Sequence, residues 1–322
     1  MPAEWDQHAA TLISWPTTQR AAIWDGDFEQ AMADYAEVAA AIIQFETVVL
    51  LVHPEQMGQA RRRCPSSIEI LEMVIDDSWI RDNGPIFVKD HVGRVAAIGF
   101  QFNAWGEKYS PWGADAEVPK RLASHFGVPL YQAPMVLEGG AFFVDGEGTL
   151  LTTEQCLLHP NRNPGLDRSQ IQAILSDYLG VDRVVWLDRG HHLDRDTDGH
   201  IDGILQYLGP GRVILHRPVR PDPSAQPMTD NRRRLENATD TAGRTFEVVD
   251  FHPGTTTIAP LNFYLCNGGV IVPTEGGPAD REVLEQIGAA LPDRSVVPVP
   301  GRTLLEGGGG PHCITQQIPV GI

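Results

Sequence analysis

Apolar residues at Phe28, Met32, Tyr35, Val38, Ile42 and Ile43 recur at near-helical spacing among alanines, which predicts a helix over 27–45. TVVLLVHP at 47–54 is a continuous apolar run closed by proline and reads as a buried strand. A short polar helix over 55–63 and a strand near 68–75 follow, so the chain opens on an α/β rhythm. The rhythm continues with a helix near 116–126, a strand–turn–strand within 137–156, a helix from Asp167 to Leu179 and a strand in VDRVVWLD. GRVILHR then reads as a strand, 227–242 as a polar helix, TFEVVDF as a strand, 278–290 as a helix and Val296–Val299 as a strand. The aromatic, glycine-containing segment 101–113 reads as a loop.

A second pattern overlies the first. An acid or asparagine, then glycine, then apolar β residues recurs as DNGPIFV, EGGAFFV, TDGHIDGIL, NGGVIVP and EGGGGPHCI. Five glycine-anchored strand starts suit a circular array of strand–helix modules. No Ser-rich, Pro-rich or charged stretch divides the chain, so a single domain over residues 1–322 is expected.

Hydrophobic content of 42% and charged content of 21% are those of a globular protein. The net charge of −17 makes nucleic acid and anionic membranes poor partners and favours a cationic ligand. The N-terminus has no apolar segment of a secretory signal, and no apolar run reaches membrane-spanning length. Cys64, Cys156, Cys266 and Cys313 are widely spaced without CxxC, which fits a reducing cytoplasm. The sequence is silent on oligomeric state and leaves a homo-oligomer open.

The chemistry is concentrated in the turns. In LLEGGGGPHCITQQIP four glycines precede His312 and Cys313, which makes Cys313 a candidate nucleophile, although burial in the core would equally suit a cysteine there. Trp79 beside Asp82 can hold a delocalised cation by ring face and carboxylate. If the turns converge, they deliver Asp82, Glu138, His200, Asp202 and Cys313. That set suits hydrolysis of a guanidinium: carboxylates pair with its N–H edges, a thiolate attacks its carbon, and a histidine moves the protons. The competing reading is a metal-dependent hydrolase using His191, His192, Asp194, Asp196, Asp198, His200 and Asp202. Cys64, Cys156 and Cys266 read as packing residues.

PAEWDQHAATLISWP, DDSWIRDNGP, NAWGEKY, LEGGAFFVDGEGTLLTTEQCLLHPNRNP, DTDGHIDG and GGGGPHCITQQIP together resemble the agmatine deiminase and bacterial-type peptidyl-arginine deiminase family. The resemblance runs nearly end to end. It implies a five-bladed, pseudo-symmetric α/β propeller, the pentein fold, with a central active site and neither metal nor organic cofactor. Cys313 then matches the nucleophile, expected to be a low-pKa thiolate that alkylating agents find first. His200 matches the general acid/base, Asp82 and Asp202 the guanidinium clamp, Glu138 the acid that orients His200, and Trp79 and Trp105 the pocket wall. The implied reaction is hydrolytic deimination through a covalent amidino-thioether, with agmatine to N-carbamoylputrescine the default, a step towards putrescine.

Departures from the family pattern concern the substrate's tail. Gly310 and Pro311 stand where an asparagine and an aliphatic residue are usual, Gly203 where an asparagine is usual, and Glu107 replaces a glycine. The stretch before His200 carries Arg189, His191, His192 and Arg195 where acids are usual. An arginine there could favour free arginine, a guanidino acid or peptidyl arginine, whereas Glu107 could receive the distal amine of agmatine. The same fold could also carry an amidinotransferase or a catalytically silent binding module.

Overall fold

The computed structural model describes residues 1–218 and 222–321, which form five small sheets. The chain enters on β1 (His8–Ser14), crosses helix Phe28–Ile42 and returns as β2 (Thr47–Val52), parallel to β1. Helix Met57–Arg63 leads to a further parallel strand, β3 (Glu69–Glu72). Four similar units follow, each running strand, antiparallel partner, helix, parallel strand. The first of these is β4 (Ile86–Lys89), β5 (Val95–Gln101) and β6 (Leu130–Val136), with helix Val118–Phe126. The second is β7 (Phe142–Val144), β8 (Thr149–Thr153) and β9 (Arg183–Leu187), with helix Arg168–Leu179. The third is β10 (Leu205–Gly209), β11 (Arg212–His216) and β12 (Glu247–Phe251), with helix Ala225–Glu236. The fourth is β13 (Tyr264–Cys266), β14 (Gly269–Thr274) and β15 (Ser295–Pro300), with helix Asp280–Ala290.

The last strand, β16 (Thr315–Pro319), pairs antiparallel with β1, setting Leu12 opposite Gln316 and Ile13 opposite Thr315. The N-terminal unit therefore takes its opening strand from the C-terminal end. Chain ends zipped into one sheet close the ring, and the result is the expected five-bladed α/β propeller.

Helices lock neighbouring blades. Helix Phe28–Ile42 packs on β15, Arg168–Leu179 on β6 and Ala225–Glu236 on β9, so each covers the outer strand of the preceding blade. That double cover is why β2 and β14 are apolar on both faces rather than alternating. Asp167 starts its helix with a capping box, accepting from Gln170 N while its own N–H donates to the Gln170 side chain. No helix among the described residues is long and apolar enough to cross a membrane.

Three expectations need correction. Strands β1, β5, β6 and β10 are not signalled by the apolar pattern: β6 carries Gln132 and Pro134, and β5 mixes alanine with glycine. The segment read as a plain loop contains a tight turn, Ala104–Glu107, in which Ala104, Trp105 and Glu107 have φ of 50°, 56° and 63°. The motif NGGVIVP is the hairpin turn between β13 and β14, with Gly268 at φ 76°. The fifth turn leading into an opening strand is instead Leu261–Phe263, which carries Asn262 and no glycine.

Candidate active site

Each blade delivers polar side chains to the axis from the turn before its opening strand. Asp82 precedes β4, Glu138 precedes β7, His200 and Asp202 precede β10, Asn262 precedes β13 and Cys313 precedes β16. All are buried. Two glycines make the crowding possible. A Cβ on Gly140 would lie 2.6 Å from His200 Nδ1 and 2.9 Å from Asp202 Oδ2, and one on Gly310 would lie 2.6 Å from Asn262 Oδ1. The Gly310 departure is thus bound to the position of Asn262.

Cys313 Sγ stands 3.4 Å from Asp202 Oδ2, and Asn262 Nδ2 donates to the sulfur at 3.2 Å. Burial lifts the thiol well above its usual pKa, the Asp202 and Asp82 charges add to the rise, and the Asn262 hydrogen bond offsets only part of it. The low-pKa thiolate expected from sequence is therefore not the resting state. Burial raises other thiols too, pushing Cys64 to about 11 and Cys266 to about 12. Cys156 is buried in the core as expected, yet it also lies against His200.

Asp82 accepts from Trp105 Nε1 through Oδ2 and from Gly140 N through Oδ1, both at 2.9 Å. Glu138 is committed to Arg162, whose Nε donates to Oε1 at 2.6 Å. His200 stands between these acids, with Nδ1 3.9 Å from Asp82 Oδ2 and Nε2 3.7 Å from Glu138 Oε2, and neither ring nitrogen makes a hydrogen bond. Burial acts to lower its pKa, but the Asp82 charge, helped by Glu138 and Cys156, raises it well above the ordinary value. His200 is held in place through its backbone: Asp194 Oδ2 accepts from Gly199 N at 2.7 Å and His200 N at 3.1 Å.

A second histidine emerges that sequence reading left unassigned. His312 Nδ1 lies 2.9 Å from Asp202 Oδ2, and its Nε2 lies 2.8 Å from Glu4 Oε2. Arg81 Nη2 stands 3.7 Å from that Glu4 oxygen. Against the lowering effects of burial and Arg81, the Glu4 and Asp202 carboxylates raise His312. The centre thus opposes four carboxylates, Glu4, Asp82, Glu138 and Asp202, to two guanidiniums, Arg81 and Arg162, and two imidazoliums, His200 and His312. Formal charge balances with Cys313 neutral.

Two cavities meet at Cys313. The narrower, about 20 Å³, runs between Trp79 and Trp105 past Asp77, Asp82 and Asp196. The wider, about 280 Å³, is lined by His191, His216, Asp194, Asp196 and Ile258 among others. No lysine or arginine among the described residues lines either one. Arg189, Arg195 and Glu107 are exposed and line neither, so neither the arginine effect nor the Glu107 counter-charge foreseen from sequence has a structural basis. His191 and His216 are lowered by burial and by neighbouring imidazoles, His216 to about 4, and are therefore neutral.

The metal-hydrolase reading fails on geometry. Asp194 is used by the backbone around His200, Asp198 by Arg162, Lys108 and Asn161, and Asp196 by Tyr109. Among the described residues only Glu138, Cys156 and His200 bring three ligand-bearing side chains together, and Glu138 there is already paired with Arg162.

Five blades around a cysteine, two histidines and paired carboxylates define a pentein-fold enzyme. A family model described as Porphyromonas-type peptidyl-arginine deiminase matches residues 1–319, and the chain belongs to that family. It is 40% identical to the agmatine deiminase of Pseudomonas fluorescens (strain SBW25), over 99% of this chain and 95% of the relative. The solved agmatine deiminase of Enterococcus faecalis is 33% identical, covers 100% of this chain and 96% of its own, and superposes with a TM-score of 0.95. A C. jejuni agmatine deiminase with substrate bound is 26% identical over 99% of this chain and 95% of its own, with a TM-score of 0.87.

Proposed function

We propose that this chain, as one catalytic domain, hydrolyses agmatine to N-carbamoylputrescine and ammonia through a covalent intermediate on Cys313. The observation that carries the reading is a buried, charge-balanced site whose two cavities are lined, among the described residues, by acids and by no lysine or arginine. In this reading Asp82 and Asp202 pair with the N–H edges of the guanidinium and hold its carbon against Cys313 Sγ, which Asp202 Oδ2 approaches to 3.4 Å. The incoming guanidinium adds one positive charge. Loss of the Cys313 proton to solvent restores the balance, so substrate creates its own nucleophile.

The thiolate attacks the guanidinium carbon, and His200, already protonated, gives its proton to the departing nitrogen. Ammonia leaves and an amidino-thioether cation stays on Cys313. Neutral His200 then takes a proton from water, whose oxygen adds to the carbon; the C–S bond breaks with its electron pair on Cys313 Sγ, which takes up the proton of the added hydroxyl as the ureido carbonyl forms. Glu138 and Asp82 stabilise His200 in its charged form.

Agmatine is favoured over arginine by the walls. A distal ammonium meets Asp196, whereas an α-carboxylate meets, among the described residues away from the reacting centre, the acids Asp194 and Asp196 and the neutral His191 and His216. An ammonia-release assay on agmatine, arginine, guanidinobutyrate and an arginyl peptide tests this. Agmatine should lead by roughly tenfold or more in kcat/KM, an advantage of about 1.4 kcal/mol. A carboxylate-bearing substrate in the lead would replace this reading with arginine deimination.

A further inference from the structure

Asp202 is asked to do something burial opposes. It must be ionised and fixed in orientation, although it is 3% exposed and close to Cys313 and to the acid Asp82. Burial by itself would raise its pKa, and the hydrogen bond and charge of His312 reverse that shift. His312 in turn lies fully buried, with both ring nitrogens on carboxylate oxygens: Asp202 Oδ2 at 2.9 Å and Glu4 Oε2 at 2.8 Å. A neutral imidazole has one N–H and cannot donate to both. With Glu4 held at about 2 and Asp202 lowered below its usual value, both partners are acceptors, and two acceptors on one ring require the imidazolium.

We infer that His312, held as a cation by Glu4, is a positioning residue that fixes the Asp202 carboxylate for the guanidinium clamp and reaches the substrate only through it. The inference rests on the deiminase reading above. Its logic is geometric. Asp202 Oδ2 is shared by His312 Nδ1 and Cys313 Sγ, which sets the rotation of the carboxylate. Its other oxygen, Oδ1, has no hydrogen bond from a side chain or backbone among the described residues and is left for the substrate. Glu4 is anchored independently, Oε1 accepting from Leu265 N at 3.1 Å, so the His312 ring cannot swing away from Asp202. His312 N donates to Asn262 O at 3.1 Å, tying the ring to the blade that also contacts the sulfur.

The charged and titratable groups facing this relay are Arg81 and the neutral Tyr264 beside Glu4, and Asp82, His200 and the neutral Cys313 beside Asp202. The Arg81 guanidinium works against the charge on His312, and its Nε donates to the His312 backbone oxygen at 3.2 Å. The N-terminal segment thus contributes to catalysis through a side chain 308 residues from its partner in sequence.

The test compares full-length wild type with Glu4→Gln and His312→Gln, measuring kcat, KM and the pH profile of kcat/KM on agmatine alongside thermal melting. Glu4→Gln keeps shape and acceptor while removing the charge. Both variants should lose roughly tenfold to a hundredfold in kcat/KM at neutral pH, the worth of one charge-assisted hydrogen bond. Both should also move the acid limb of the profile upward, because Asp202 then takes up a proton more readily. The imidazole of His312 in the wild type, followed by ring nitrogen NMR, should be doubly protonated at neutral pH. A neutral ring, or a folded Glu4→Gln with an unmoved acid limb, overturns the inference while wild-type turnover of agmatine keeps the deiminase reading intact. Wild type inert towards every guanidine would overturn that reading instead, and the ring measurement still decides the state of His312.

Discussion

Two arginine–glutamate–histidine sets flank the reacting centre, and they divide their bonds differently. On one flank Glu138 is bound tightly to Arg162, at 2.6 Å, and faces His200 at 3.7 Å. On the other, Glu4 is bound tightly to His312, at 2.8 Å, and faces Arg81 at 3.7 Å. The same three residue types thus give one histidine free of hydrogen bonds and one with both nitrogens locked. A histidine that must give and take protons has to be electrostatically charged yet loosely held. One that must stay charged has to be clamped. The arginine decides which, by taking or leaving the glutamate.

The largest effect comes from removing what both flanks serve. Cys313→Ala should lower turnover to background while the melting temperature shifts by only a few degrees (about 1 kcal/mol or less), since the side chain is small and follows a glycine turn. Turnover retained in a folded variant would end the mechanism and the comparison with it. Next, Asp82→Asn and Asp202→Asn each remove one half of the clamp and should cost ~2–5 kcal/mol, roughly thirtyfold to several thousandfold in kcat/KM. Losses below tenfold in both would place the guanidinium elsewhere. The most direct way to blur the two flanks is Arg162→Lys, which keeps charge but not the fork that holds Glu138. Glu138 is then free to bond His200, and kcat should fall by roughly tenfold with KM little changed, read by steady-state kinetics beside melting. An unchanged kcat would mean that the looseness of His200 is irrelevant.

Much of the His200 flank is legible in sequence, because glycine turns announce it. DNG, EGG and DGHIDG each sit before an opening strand, and Asp82, Glu138, His200 and Asp202 converge with Cys313, Trp79 and Trp105. The other flank is hidden. Glu4 lies in an N-terminal stretch with no glycine signal, and its meeting with His312 depends on β16 pairing with β1, which no local pattern encodes. Asn262 escapes sequence reading for a related reason: its turn contains no glycine, and the nearby Asn267–Gly268–Gly269 draws attention to the wrong end of β13. Arg162 sits in a loop whose role emerges only through Glu138 and Asp198.

A smaller effect separates resting enzyme from the liganded state. With its pKa raised by burial and by Asp202 and Asp82, Cys313 is the neutral thiol below that value and thiolate only above it. Alkylation by iodoacetamide in the free enzyme should therefore be slow at pH 7 and rise about tenfold per pH unit through pH 9. Asp202→Asn removes one of the raising charges, so its profile should level off at lower pH. A wild-type rate already flat above neutrality would mean a resting thiolate, and would leave the two imidazoliums without the balance drawn above.

The smallest effect belongs to the rim, where arginines and acids again lie together but without burial. Arg189 is largely exposed, 67% by side chain, and its Nε is 3.7 Å from Asp188. Arg195 is exposed too; its backbone oxygen accepts from Lys108 Nζ, and its side chain lines neither cavity. Charges this open to water are screened, and exposed pairs are worth about 1 kcal/mol or less. Arg189→Ala and Arg195→Ala should therefore each change kcat/KM on agmatine by less than about twofold and leave the agmatine-to-arginine ratio where it was. The same residue type that decides the fate of a histidine in the centre is then neutral at the mouth, and desolvation is the difference. A tenfold swing of that ratio in Arg195→Ala would show that the rim reaches the substrate's tail, and would return free or peptidyl arginine to the leading place.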